Sequence, residues 1–180
     1  MSTMPVSHTR PVTRPSVGTR PVRLAPVGLL HRFAAAEAAL KVILERWSVP
    51  ALRVALGLVF VAFGALKFFP GMSPVEPLVE ATWGVLTFGL VGGQLALVLT
   101  AVIETVAGLA LISGVFARFG LVMLAVAFVG ILSPLVFFPA ELFTAAGPTL
   151  LGQYVLKNVV LIAAAMVIAS KALRGPIRRA

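Results

Sequence analysis

The sequence predicts an all-α, polytopic membrane protein: a four-transmembrane-helix bundle with an N-terminal interfacial amphipathic helix and a short helical outer loop. Three observations lead there. Of the 180 residues, 59% are hydrophobic and only 12% charged, against about half and about a quarter in a soluble domain; mean hydropathy is +1.05. Four apolar stretches approach the ~20 residues needed to cross ~30 Å of hydrocarbon. Much of the net charge of +9 is carried by the two ends of the chain. Four helices use nearly all the length, which leaves no room for a second domain.

Composition also narrows the chemistry. The chain has no Cys, which excludes disulfides, thiolate metal sites, iron–sulfur ligation and thiol relays. His8 and His31 both precede the first span, so no intramembrane imidazole is available for haem or metal. A redox role must pass through a bound small molecule or a partner chain. The basic balance reads as topology and anionic lipid headgroups rather than nucleic acid, since no nucleic-acid motif accompanies it. No Walker sequence, nucleophile elbow or metal-ligand cluster occurs, so the chain is not expected to catalyse alone.

Residues 1–26 repeat Thr9-Arg10-Pro11-Val12 degenerately as Thr13-Arg14-Pro15-Ser16 and Thr19-Arg20-Pro21-Val22. Proline blocks helix and central strand, and apolar surface is scarce, so this is expected to be a disordered basic tail. It lacks the short apolar core and cleavage site of a secretory signal. Over 27–48, Leu29, Leu30, Phe33, Ala36, Leu40, Ile43, Leu44 and Trp47 recur at helical spacing, and Glu37 and Lys41 form an i,i+4 pair. That pattern predicts an amphipathic helix in the membrane interface or docked on a partner.

The membrane domain, 49–172, divides into spans at about 50–69, 93–114, 118–138 and 150–170, with a basic C-terminal tail at 173–180. Pro50 should open the first span in its first turn, where its missing N–H does no harm. In the first outer loop, Ser73-Pro74-Val75-Glu76 is a capping-box sequence that predicts a short helix. The segment 87–93 is too short to cross and too apolar to be freely solvated, so it either half-inserts or lies on the headgroups. Ser133-Pro134 should kink the third span. Arg118 lies in the turn between the second and third spans, and Lys171, Arg174, Arg178 and Arg179 end the chain. The other two loops hold Glu76, Glu80 and Glu141 without Lys or Arg, so both termini are expected in the cytoplasm.

The intramembrane charges are the candidate functional residues. Arg53, Gly57, Phe60, Gly64 and Lys67 share one face of the first span, with two glycines permitting close helix approach. Arg53 lies near the inner end and can snorkel, which makes it a structural charge. Glu104 lies ~16 Å below Gly93, close to mid-membrane, where a carboxylate costs several kcal/mol unless paired. Thr100, Ala101, Ala107 and Gly108 flank it. Lys157 lies ~10 Å below the outer end of the fourth span, with Gln153, Tyr154 and Asn158 beside it. A Glu104–Lys157 pair is the simplest arrangement that keeps both charged. With Lys67 at the same level, two cations against one carboxylate leave a site suited to an anion or a polarised carbonyl. A quinone headgroup fits such a site, lined by Phe60, Phe63, Trp83 and Tyr154.

Leu52 to Pro70 resembles the first-helix signature of DoxX-like proteins, and resembles still more the YkgB-type inner-membrane proteins, one of which is linked to reactive-chlorine resistance. Ile103-Glu104 with Gly108, Ser133-Pro134-Leu135 and Val155-Leu156-Lys157-Asn158 resemble that group's later helices in order and spacing. The resemblance spans about residues 50–172. It implies a four-helix bundle in the bacterial cytoplasmic membrane and, from some members, a membrane subunit of an oxidoreductase or oxidative-stress assembly, with Lys67, Glu104 and Lys157 as marked positions and Arg53 as a weaker one. The long basic N-terminus departs from the family pattern.

Three functions are therefore weighed. The first is a membrane subunit that binds quinone or another small acceptor. The second is a small proton-coupled transporter that titrates Glu104. The third is a structural accessory subunit of a respiratory complex, recruited through residues 27–47. The partners implied are the lipid bilayer, a membrane or cytoplasmic protein docked on residues 27–47, and a second copy of the chain; nucleic acid is not among them. Any cofactor is non-covalent, with quinone the candidate and no metal expected.

Overall fold

A computed structural model describes residues 27–173. The expected disordered tail at 1–26 and residues 174–180 of the basic C-terminal tail lie outside the described residues. By contacts the chain divides at Ala39/Leu40 into two compact units, and the core and the cavity belong to the second.

Among the described residues, four helices are long and apolar enough to cross a membrane: His31–Leu66, Gly93–Ser113, Ala117–Phe137 and Leu150–Ala172. The four-span architecture read from the sequence holds, but the first element differs. One helix, α1 (Val27–Leu66), replaces the separate amphipathic helix and 50–69 span, with Pro50 in its interior. A proline deprives only one carbonyl of its partner, that of the residue four before it. Pro50 and Arg46 are both exposed, so polar surroundings can satisfy that carbonyl and the helix continues. Lys41 pairs with Glu45 at 4.0 Å rather than with Glu37. The first span ends at Leu66, not 69, because Lys67, Phe68 and Phe69 each bond the carbonyl three residues back in tightened turns.

The loop helix α2 (Glu76–Leu86) starts two residues later than the capping box predicts. Its N-cap is Val75 and no side chain caps it; the Glu76 carboxylate instead accepts from the Gly71 N–H at 2.8 Å. It buries Leu78 and Thr82 and packs on α3 (Gly93–Ser113), α4 (Ala117–Leu132) and α5 (Pro134–Phe137). The chain between α2 and α3 turns at Phe88, which has a positive φ of 55° and is exposed together with Leu90.

Ser133-Pro134 breaks the third span into α4 and α5, as its proline predicts. A one-turn helix, α6 (Pro139–Leu142), and a two-residue antiparallel ladder of β1 (Phe143–Thr144) on β2 (Gly147–Pro148) follow. The fourth span also divides, into α7 (Leu150–Leu156) and α8 (Asn158–Ala172). There the Asn158 side-chain amide donates to the carbonyls of Tyr154 at 2.7 Å and Val155 at 3.3 Å. Those carbonyls would receive the Asn158 and Val159 backbone N–H groups in an unbroken helix.

Lipid cannot drive its own exclusion from apolar surfaces, so helix association rests on close packing. One such close contact joins α1 to α3. A Cβ added at Gly108 would lie 2.5 Å from the Gly57 carbonyl oxygen, and one at Gly64 would lie 2.7 Å from Thr105 Oγ1. Both glycines of the predicted α1 face thus meet the small-residue stripe around Glu104. Leu56, Phe60, Ala107, Leu111, Leu124, Phe128 and Ile168 form the main core, with Phe60 edge-on to Phe128 at 5.6 Å. A second cluster of Leu78, Leu142 and Val155 lies beneath the loops. Leu58, Val102, Leu109 and Val122 stay exposed on the outer faces, where hydrocarbon takes the place of water.

Candidate functional site

Glu104 sits eleven residues from Gly93 and nine from Ser113, at the middle of α3. It is 3% exposed. Its partner is Lys67, whose Nζ donates to Oε2 at 2.6 Å and also to the Phe63 carbonyl at 3.2 Å. Lys67 is likewise 5% exposed. This corrects the expected Glu104–Lys157 pair. Because α1 and α3 touch through glycine at Gly64, the first residue beyond α1 is held directly over the carboxylate. Lys157 belongs to a span that packs on α4 through α8, and depth counted along each helix cannot reveal that difference.

Lys157 makes no ion pair among the described residues. Its ammonium lies over the rings of Phe63, 4.1 Å from the centroid, and Tyr154, at 4.3 Å. A cation held by ring quadrupoles stays available to an incoming acceptor. The closed Lys67–Glu104 pair is formally neutral, so the site retains one uncompensated positive charge on Lys157.

These groups converge on a cavity of about 430 Å³ lined by residues of α1, α2, α3, α4, α5, α7 and α8. That size lies within the range of small-molecule sites. Its wall is mostly aliphatic and aromatic, with Val59, Phe60, Phe63, Ile103 and Leu161 among the lining groups. Of the residues singled out from sequence, Lys67, Trp83, Glu104, Tyr154, Lys157 and Asn158 line it. Gln153 does not; it is exposed one turn away, and this corrects its placement with the site. Asn158 lines the cavity, but its amide N–H groups are engaged in the α7–α8 break.

Trp83 is fixed by a hydrogen bond from Nε1 to Thr100 Oγ1 at 2.8 Å. Thr100 in turn donates to the Ala96 carbonyl at 2.9 Å, so the indole is tied to α3. Sequence reasoning missed Thr82, and it missed the wall of Val126 and Gly130 from α4 and Pro134 from α5. The Ser133-Pro134 break was the available signal for that wall, because irregular backbone at membrane depth collects around cavities. Arg53 lies apart from this site, with its guanidinium against Gly114 at the C-terminal end of α3.

The DoxX family model matches residues 48–138. No curated protein and no solved structure matches the chain. The matched segment contains Lys67, Trp83 and Glu104 and stops before Tyr154, Lys157 and Asn158.

Proposed function

The chain belongs to the DoxX family, and on that premise we propose that it is a membrane subunit that binds a quinone or a similar lipophilic acceptor. The observation that carries this reading is the Lys157 ammonium, without an ion-pair partner among the described residues, at a mostly apolar cavity. A carbonyl or enolate oxygen directed at Lys157 gains a charge-assisted hydrogen bond. The Phe63 and Tyr154 rings stack with a planar head, and the aliphatic wall takes an isoprenoid tail. The Lys67–Glu104 pair forms the floor of the site and keeps the α1–α3 contact in register.

Within the family the YkgB-type branch is the proposed affiliation, on the order of the four motifs from Leu52 to Asn158. The asymmetry of loop charge supports a bacterial inner-membrane location with both termini cytoplasmic. With no cysteine, and no histidine beyond His31 at the start of the first span, electrons must arrive from and leave to partner proteins, so the chain serves an oxidoreductase or oxidative-stress assembly rather than acting alone. Purification from native membranes in mild detergent tests this. Wild-type protein should retain quinone in near-stoichiometric amount on extraction, and Lys157→Ala should lose most of it. Absence of quinone from the wild type, or equal retention by the variant, would remove the proposal.

A further inference from the structure

A second charged cluster lies at the C-terminal end of α3, away from the cavity. Arg53, Gly114, Val115, Phe116, Arg118 and Ala172 line an open pocket there. The Arg53 guanidinium rests on the Gly114 backbone so closely that an added Cβ would collide with Nη1 and come within 2.7 Å of Cζ. Gly114 itself has a left-handed φ of 74°, so two constraints exclude a side chain at this position. The Arg53 Nε is buried without a hydrogen-bond partner among the described residues. Arg118 donates one N–H, from Nε, to the Ala172 carbonyl at 3.1 Å.

Among the described residues neither arginine has a carboxylate partner. The six acidic residues of the chain are Glu37, Glu45, Glu76, Glu80, Glu104 and Glu141. The nearest along α1, Glu45, precedes Arg53 by eight residues, ~12 Å of helix, and pairs with Lys41. Glu104 is taken by Lys67. Lys171 adds a further positive charge next to Ala172. A buried guanidinium Nε without a partner is unfavourable, and planar N–H forks match phosphate oxygens two at a time. The sixteen-residue helix α4 begins in the same pocket, so its first-turn amides add donors of the same sign.

Depth indicates the source of the anion. The 21 residues of α3 span ~31 Å, about the hydrocarbon thickness. Gly114 therefore lies at the level of the lipid phosphates. Val115, Phe116 and Phe119 are exposed around the pocket, an apolar rim suited to acyl chains.

We infer that this pocket seats the phosphate of an anionic phospholipid, held between the guanidinium groups of Arg53 and Arg118. The test uses the full-length protein, delipidated in neutral detergent and titrated with phosphatidylglycerol, phosphatidylcholine or inorganic phosphate, with bound lipid counted by native mass spectrometry. Phosphatidylglycerol should bind at one high-affinity position. Arg53→Gln and Arg118→Gln should each weaken it about fivefold, the effect of one basic contact at a membrane surface. Phosphatidylcholine should bind weakly, and inorganic phosphate should not displace the lipid. Displacement by inorganic phosphate would show the same phosphate chemistry but overturn the lipid as its source. Equal binding of both lipids, or unaltered binding by Arg118→Gln, would overturn the site. Arg118 is exposed, so that variant reads out even if Arg53→Gln fails to fold.

Discussion

Replacing Lys67 by Met should destabilise the bundle far more than replacing Lys157 by Met. Lys67 is the only ion-pair partner of Glu104 among the described residues, at 2.6 Å with both side chains about 95% buried. Removing one member of a buried pair typically costs about 3–5 kcal/mol, because the other charge is left without compensation. The Lys157 ammonium is exposed and faces only two rings, contacts worth about 0.5–1 kcal/mol each at such sites. Reversible unfolding of detergent-solubilised protein by increasing SDS mole fraction measures both. In a double-mutant cycle, Lys67→Met with Glu104→Gln should recover about 2 kcal/mol or more relative to additivity. The cycle of Lys157→Met with Glu104→Gln should stay within about 0.5 kcal/mol of additive. Stronger coupling of Glu104 to Lys157 than to Lys67 would refute the pairing.

Four further outcomes follow from the packing. Gly108→Val should separate α1 from α3, since its Cβ alone would stand 2.5 Å from the Gly57 carbonyl oxygen; a loss of about 3 kcal/mol or failure to fold is expected. By contrast, Gly84→Ala in α2 meets open space and should be neutral or stabilising by about 0.5–1 kcal/mol in the same assay. Trp83→Phe removes the hydrogen bond to Thr100 and should cost about 1 kcal/mol; no loss would mean that the bond contributes little beyond its competition with water. Proteoliposome proton flux should be absent from the wild type, because Glu104 is already held by Lys67; flux abolished by Glu104→Gln would instead favour a transport role.

Much of this fold was open to reading because lipid makes the sequence code simple. Apolar runs identified four spans, and the glycine face of α1 identified a surface of close helix approach, without naming the helix it meets. The carboxylate depth was also correct, since residues counted along a helix convert directly to ångströms. What depth could not supply was lateral neighbourhood. Lys67 and Lys157 both reach the level of Glu104, and only the packing of α1 on α3 decides between them. Two helix boundaries failed for a different reason. Pro50 reads as a helix start, but it lies inside α1, because one lost hydrogen bond at an accessible position does not end a helix. The α7–α8 break carries no proline or glycine; it arises from the Asn158 side chain competing for backbone carbonyls, a choice an asparagine makes only in a particular tertiary setting. Six of the seven ligand-site residues named from sequence line one cavity, because polar groups in a membrane span collect on faces away from lipid. Gln153 lies near enough to the span end to remain outside.

The central claim, that Lys157 anchors a ligand in the cavity, is tested most directly by fluorescence titration. Trp83 lines the cavity, and Trp47, the other tryptophan, can be silenced by Trp47→Phe. In that background a short-chain quinone should quench Trp83 saturably, and Lys157→Ala should weaken the apparent Kd about tenfold, as loss of a hydrogen bond to a charged group implies. Quenching that rises linearly without saturation, or an affinity unchanged by Lys157→Ala, would contradict the account.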